Sequence, residues 1–206
     1  MADFSTNPFR EHLQTRQKPE PCTIVIFGAT GDLTHRKLVP ALYNLAIDGE
    51  LPSPVKIVGF ARRDKSDEIF RSELEDLNRK ISRQGHKEEV WDSFSQSIHY
   101  HRSEFQNVDG YHALADRLEA IEKERGGKGN RLFYLASAPE FFDDILLNLR
   151  EAGLNKAAEG CWSRVVVEKP FGTDLPTARH LNQVVNQTFD EQYTYRIDHY
   201  LGKETA

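Results

Sequence analysis

Thr23-Ile24-Val25-Ile26-Phe27-Gly28-Ala29-Thr30-Gly31-Asp32-Leu33 is the stretch whose reading decides the fold. An apolar, β-branched run ends on a glycine, a second glycine follows three positions later, and a helix-like pattern takes over from 32 to 48. A strand that turns on glycines into a helix leaves unpaired backbone N–H groups and the positive end of the helix dipole facing the same point, which favours an anion. Gly28 permits the tight turn and Gly31 a close approach of backbone to a pyrophosphate, while Thr30 and Asp32 offer side-chain hydrogen bonds or a helix cap. Residues Gly28, Ala29, Thr30, Gly31, Asp32 and Leu33 are therefore candidate nucleotide-binding positions, with an ordinary glycine turn as the alternative. Pro40 lacks an N–H donor and is expected to kink the following helix or start its second part.

The same alternation continues outward. Apolar runs at 23–27, 55–60, 98–101, 132–136, 165–167 and 193–197 read as strands, and amphipathic stretches at about 32–48, 66–83, 87–96, 109–124, 139–152 and 174–187 read as helices. Continuously apolar strands joined by helices indicate a mostly parallel sheet covered on both faces, so the expected class is α/β, a doubly wound Rossmann-type fold. Residues 1–21, with three prolines and no periodicity, read as a flexible leader ahead of a domain over 22–206. The glycine-rich segment 126–130 is the internal connection expected to be most flexible.

With 206 residues, 38% of them hydrophobic, the chain is long enough to bury a full core. A net charge of -5 argues against nucleic-acid binding, which needs a clustered positive surface, so an anion site must be built locally. No apolar run of about 18 residues is present, so membrane spanning is not expected and a cytoplasmic location is. Cys22 and Cys161 are too few for a disulfide framework and are expected to be reduced, buried thiols.

The second strand ends in Phe60-Ala61-Arg62-Arg63, where an NAD site usually offers a carboxylate to the ribose 2′-hydroxyl. A guanidinium there matches a phosphate instead, so NADP is the expected cofactor, with Arg62 its main contact and Arg63 an adjunct, unless Asp64 takes one of them. In the fourth strand, Phe133-Tyr134-Leu135-Ala136 runs into small residues, and Ala136 leaves room for a cofactor at the carboxyl edge of the sheet. Phe141 and Phe142 read as packing residues of the next helix. After the fifth strand, Glu168-Lys169-Pro170 brings a carboxylate and an ammonium out at that edge. Lys169 is expected to reach a substrate hydroxyl or phosphate, and Glu168 to face the cofactor or orient Lys169; a structural ion pair is the alternative.

The run Arg196-Ile197-Asp198-His199-Tyr200-Leu201-Gly202-Lys203-Glu204 then supplies His199, Tyr200 and Lys203 as donors for a phosphate dianion, with Arg196 pairing with Asp198 or Glu204. Histidines 99 and 101 alternate on one strand, but no third residue has matching spacing, so no metal is expected. His35, Arg36 and Lys37, just past the glycine turn, are candidates to assist nucleotide binding; His86 and His112 fall on helix-like segments.

Taken together, G-A-T-G-D-L, A-R-R, F-Y-L-A, E-K-P-F-G and R-I-D-H-Y-L-G-K-E resemble the glucose-6-phosphate dehydrogenase family from Thr23 to Glu204. The resemblance implies oxidation of glucose 6-phosphate at C1, hydride passing to NADP and a phosphogluconolactone product. It further implies that His199, Tyr200 and Lys203 hold the 6-phosphate, that Lys169 holds the sugar near the cofactor after a cis Lys169–Pro170 bond, and that Asp198 orients a general-base histidine. That histidine belongs to a second α+β domain, so the chain is expected to be the coenzyme domain with half a substrate site, inactive alone. The missing domain would make the homodimer or homotetramer. Two rivals remain: a noncatalytic NADP-binding or assembly module, and a short-chain-type reductase. The second is weakened because no tyrosine has a lysine four residues on; Tyr100 is followed by Glu104 and Tyr195 by His199.

Overall fold

A computed structural model describes residues 19–124 and 129–197. The strands are β1 (Cys22–Phe27), β2 (Val55–Ala61), β3 (Ile98–Arg102), β4 (Arg131–Leu135), β5 (Ser163–Glu168) and β6 (Thr194–Ile197). The helices are α1 (Val39–Ile47), α2 (Asp67–Ile81), α3 (Glu88–Ser95), α4 (Val108–Glu124), α5 (Phe142–Glu151) and α6 (Leu175–Thr188). All six strands form one parallel sheet in the order β3-β2-β1-β4-β5-β6. The order reverses direction between β1 and β4, the switch point where open α/β sheets bind ligands.

The apolar runs are continuous because both faces are covered. Val25 and Phe27 join a core with Tyr111 and Leu114 of α4, Ile145 and Leu149 of α5, and Val184 of α6. Ile24 and Ile26 point the other way, into a core with Tyr43 of α1, Phe70 and Leu74 of α2, and Trp91 and Phe94 of α3. Alternation along a strand thus sends successive apolar side chains into two different cores.

Pro40 does start a second helical segment. A π-helical turn over Thr34–Leu38 runs directly into α1, and Pro40, which has no N–H to donate, is the second residue of α1. Edge strand β3 is covered by side chains of α2: the Asp67 carboxylate accepts from the Tyr100 N–H at 2.7 Å, and Arg71 Nε donates to the Ile98 carbonyl at 2.7 Å. Burial works to raise the pKa of Asp67, but the His99 hydrogen bond, the Tyr100 amide and Arg117 outweigh it and hold the carboxyl at about 2.

Several expectations are corrected by packing. Cys22 and Cys161 are half-buried rather than buried, and burial pushes the Cys22 thiol up to about 11. His86 lies between α2 and α3 rather than on a helix. Among the described residues Arg196 pairs with Glu191 at 2.6 Å and with Asn182 at 2.8 Å, while its expected partners Asp198 and Glu204 lie outside them. His99 turns to Asp67 and His101 to the Gly110 carbonyl, so the two rings share no ligand point. No described helix is long and apolar enough to cross a membrane.

Candidate functional site

Gly28 has a φ of 89°, and a Cβ there would lie 2.8 Å from the Ala136 carbonyl oxygen, so only glycine lets the end of β1 pass this close to the end of β4. The turn is pinned to its neighbours. Gly28 N–H donates to Phe60 O at 3.0 Å, Ala136 N–H to Phe27 O at 2.9 Å, and Gly31 N–H closes onto Gly28 O at 2.9 Å. Thr34 is fully buried and its hydroxyl donates to the same Gly28 carbonyl at 3.1 Å, which locks the turn from beneath. The amides of Asp32 and Leu33 stand in the first turn of the helical run, whose N–H groups have no intrahelical carbonyl to bond.

Around this turn the ends of four strands make one cleft. Gly28, Thr30 and Gly31 come from β1, Arg62 and Arg63 from β2, Ser103 to Gln106 from the loop after β3, and Ala136, Ser137 and Phe141 from the loop after β4. Arg62 and Arg63 are exposed over it, and neither guanidinium is in an ion pair among the described residues. Asp64 is taken by Arg102 at 3.1 Å instead. The fit to a dinucleotide phosphate rests on these observations: free first-turn amides, a glycine approach a side chain would fill, and an unspent cationic fork at the end of β2.

Four positions proposed from sequence fall off the cleft wall. Ala29 is fully buried against α2, so its side chain is packing. Asp32 forms an exposed pair with Arg36 at 3.1 Å and caps nothing. Leu33 and Lys169 do not line the cleft either, which leaves Leu33 only its amide to offer. His35 does not line the cleft, and burial together with the nearby Lys65 lowers its pKa. The residues missed by sequence are Ser103 to Gln106 and the role of Phe141, which packs on Phe105 at 5.1 Å while facing the cleft; Phe142 is pure core. Only the strand order brings the loop after β3 here, so no local signal announced it.

On the other side of β4, Glu168 ends β5 almost fully buried and accepts a short hydrogen bond from the Tyr134 hydroxyl. Burial and the Glu168 carboxylate push the Tyr134 phenol above its usual range. Glu168 is therefore engaged by Tyr134, and its other oxygen, Oε2, is buried without a hydrogen-bond partner among the described residues. Lys169 is exposed at the same corner, and the Lys169–Pro170 bond is cis. Glu168 and Ile197 are register partners, so β5 and β6 end together at the edge that bears Lys169. Asp198, His199, Tyr200 and Lys203 lie outside the described residues. Hollows of about 690 and 520 Å³ open at the amino ends of β2 and β5, away from every one of these groups, and a third of about 760 Å³ lies between the first helical run and α2, where Arg36 and Lys37 line it rather than the cleft.

Residues 25–206 match the family model described as glucose-6-phosphate dehydrogenase, NAD binding domain. The chain is 48% identical over 207 residues to glucose-6-phosphate 1-dehydrogenase of Chlamydia pneumoniae, covering 98% of this chain and 40% of that protein. It is 41% identical to the Bacillus subtilis enzyme of the same name, covering 93% of this chain and 38% of that one. A solved structure of a glucose-6-phosphate dehydrogenase in complex with its substrate glucose-6-phosphate superposes with a TM-score of 0.79 at 38% identity, over 90% of this chain and 38% of that one. The chain thus spans about 40% of the length of the curated relatives it matches.

Proposed function

From the premise that the chain belongs to the glucose-6-phosphate dehydrogenase family, we propose that it forms the NADP-binding domain of an enzyme oxidising glucose 6-phosphate at C1 to 6-phosphoglucono-1,5-lactone. The observation that carries the coenzyme assignment is Arg62, an unpaired guanidinium at the end of β2 in the cleft built on Gly28 and Gly31. There it binds the 2′-phosphate bidentately, with Arg63 beside it, while the first-turn amides of Asp32 and Leu33 take the pyrophosphate and Ala136 leaves room for the rings. When bound, NADP supplies the hydride acceptor. Lys169 holds the sugar hydroxyls, and His199, Tyr200 and Lys203 hold the 6-phosphate. Asp198 orients the histidine that removes the C1 hydroxyl proton as hydride leaves, which keeps charge from building on the sugar. The half-site built by residues 22–206 accordingly binds both ligands before a further domain completes catalysis, and the whole protein works in the cytoplasm as a homodimer or homotetramer.

Side-by-side calorimetric titration of the 206-residue chain with NADP, NAD and glucose 6-phosphate tests the reading. NADP is expected to be preferred, and Arg62→Ala to weaken it by about ten- to a hundredfold while NAD hardly changes. Equal losses for both coenzymes would sink the role of Arg62, and a folded chain that binds neither would mean that the cleft is not a coenzyme site by itself.

A further inference from the structure

Among the described residues, one group of side chains converges at metal-ligand spacing: Glu75 on α2, His86 in the connection that follows, and Glu88 at the start of α3, with ligand atoms within 4.8 Å of one another. It stands on helices of the opposite side of the fold from the loops around Lys169, and nothing in the coenzyme reading uses it. His86 is the informative member. Its side chain is only 9% exposed, and neither ring nitrogen has a hydrogen-bond partner among the described residues. Its ring is held by Tyr43, nearly parallel with centroids 6.1 Å apart, and by Trp91 at 5.8 Å. That packing aims Nε2 between two carboxylates, 3.6 Å from Glu75 Oε1 and 3.5 Å from Glu88 Oε2.

A buried imidazole without a partner loses its hydration and receives no compensating bond, so such a nitrogen calls for an occupant. The distances indicate which one. Both exceed an ordinary hydrogen bond, yet nitrogen and oxygen ligands held at about 2.0–2.2 Å in a tetrahedron lie about 3.3–3.6 Å apart. The carboxylates already hold positive charge between them: Arg79 Nη2 lies 2.6 Å from Glu75 Oε1 and 3.1 Å from Glu88 Oε2. The Arg79 side chain is 44% exposed, so its guanidinium can swing into water and give up that position.

We propose that Glu75, His86 and Glu88 form a binding site for a divalent transition metal of the Zn²⁺ type, with water as the fourth ligand and Arg79 as the competing cation. One imidazole with two carboxylates suits Zn²⁺ better than Mg²⁺ or Ca²⁺, which prefer all-oxygen shells. Occupancy ties the end of α2 to the start of α3 across the connection bearing His86.

Calorimetric titration of the chelator-treated 206-residue chain with Zn²⁺ tests this, with the visible absorption of Co²⁺ as a second readout of tetrahedral nitrogen–oxygen coordination. One ion per chain is expected. Because His86→Ala disturbs the stack on Tyr43 and Trp91, the deciding variant is Glu88→Gln, whose side chain is 66% exposed; it should weaken Zn²⁺ at least tenfold. Arg79→Gln removes the competitor and should tighten Zn²⁺ several-fold, a gain that chance binding at the cysteines or other histidines would not show. Absence of binding, wild-type affinity in Glu88→Gln, or no gain in Arg79→Gln would each overturn the site.

Discussion

The Gly28–Leu33 turn and the Glu168–Lys169–Pro170 corner leave strands β1 and β5, and both strands flank β4, yet β4 meets them by different means. At the turn the contact is backbone on backbone: the Gly28 Cα passes so near the Ala136 carbonyl that no side chain fits, and nearly every bond is made by a peptide group. At the corner the contact is side chain on side chain, with the Tyr134 hydroxyl spent on a buried Glu168. Backbone geometry is imposed by sterics within a few residues, so it can be read locally. A side-chain bond between residues 34 positions apart depends on sheet order and register, so the adjacent Glu168 and Lys169 have separate fates.

The strongest challenge to this contrast is Gly28→Ala. Positive φ together with a 2.8 Å approach to backbone should cost about 3 kcal/mol or more in urea denaturation and abolish coenzyme binding in the same titration. A loss below about 1 kcal/mol would show that the turn relaxes and that its backbone contact is not what constrains it.

At the corner, Glu168→Ala removes the partner of the half-buried Tyr134 hydroxyl and should cost about 2 kcal/mol, whereas Tyr134→Phe in the Glu168→Ala background should restore part of that loss. A strictly additive double-mutant cycle would mean that the two groups do not depend on each other. Lys169→Ala, by contrast, should leave stability within about 0.5 kcal/mol while weakening glucose 6-phosphate by about ten- to a hundredfold. Unchanged sugar-phosphate binding would remove Lys169 from the substrate site.

A smaller effect separates both corners from the edge of the sheet. The folded pKa of Asp67, about 2, lies below the value near 3.9 of an unfolded aspartate, so its contribution is complete above about pH 4 and disappears as pH falls toward 2. Solvent still reaches this carboxylate, which limits the loss to about 1 kcal/mol. The difference in urea stability between wild type and Asp67→Asn should shrink across that window; a constant difference down to pH 2 would show that the carboxylate charge does not hold α2 onto β3.

Legibility followed the range of the interactions. Strand and helix positions were readable because each apolar run had to be buried on two faces and each amphipathic helix on one, and the observed boundaries differ from the expected ones by one or two residues except at the starts of α1 and α5, which a π-helical turn and a 3-10 turn precede. The position of Arg62 on the cleft was readable because it depends only on its place after the second strand. The burial of Ala29 was not readable locally, because its location within the motif conceals that its methyl group joins the core that holds Phe70 rather than the cleft wall. The surroundings of His86 were not readable, although the break between the two helices around it was, because the side chains it faces lie on three separate elements.

By itself the chain's order of residues determined a two-sided parallel sheet, a tight glycine turn between its first strand and the following helical run, and an arginine at the end of its second strand, because each follows from burial, steric exclusion or position within a short span. Tertiary structure alone decided that the loop after β3 completes the cleft, that Tyr134 claims Glu168, and that His86 faces two carboxylates. Those depend on strand order and on which distant side chains share one small volume, and such pairings are set only when the whole sheet and its helices close together.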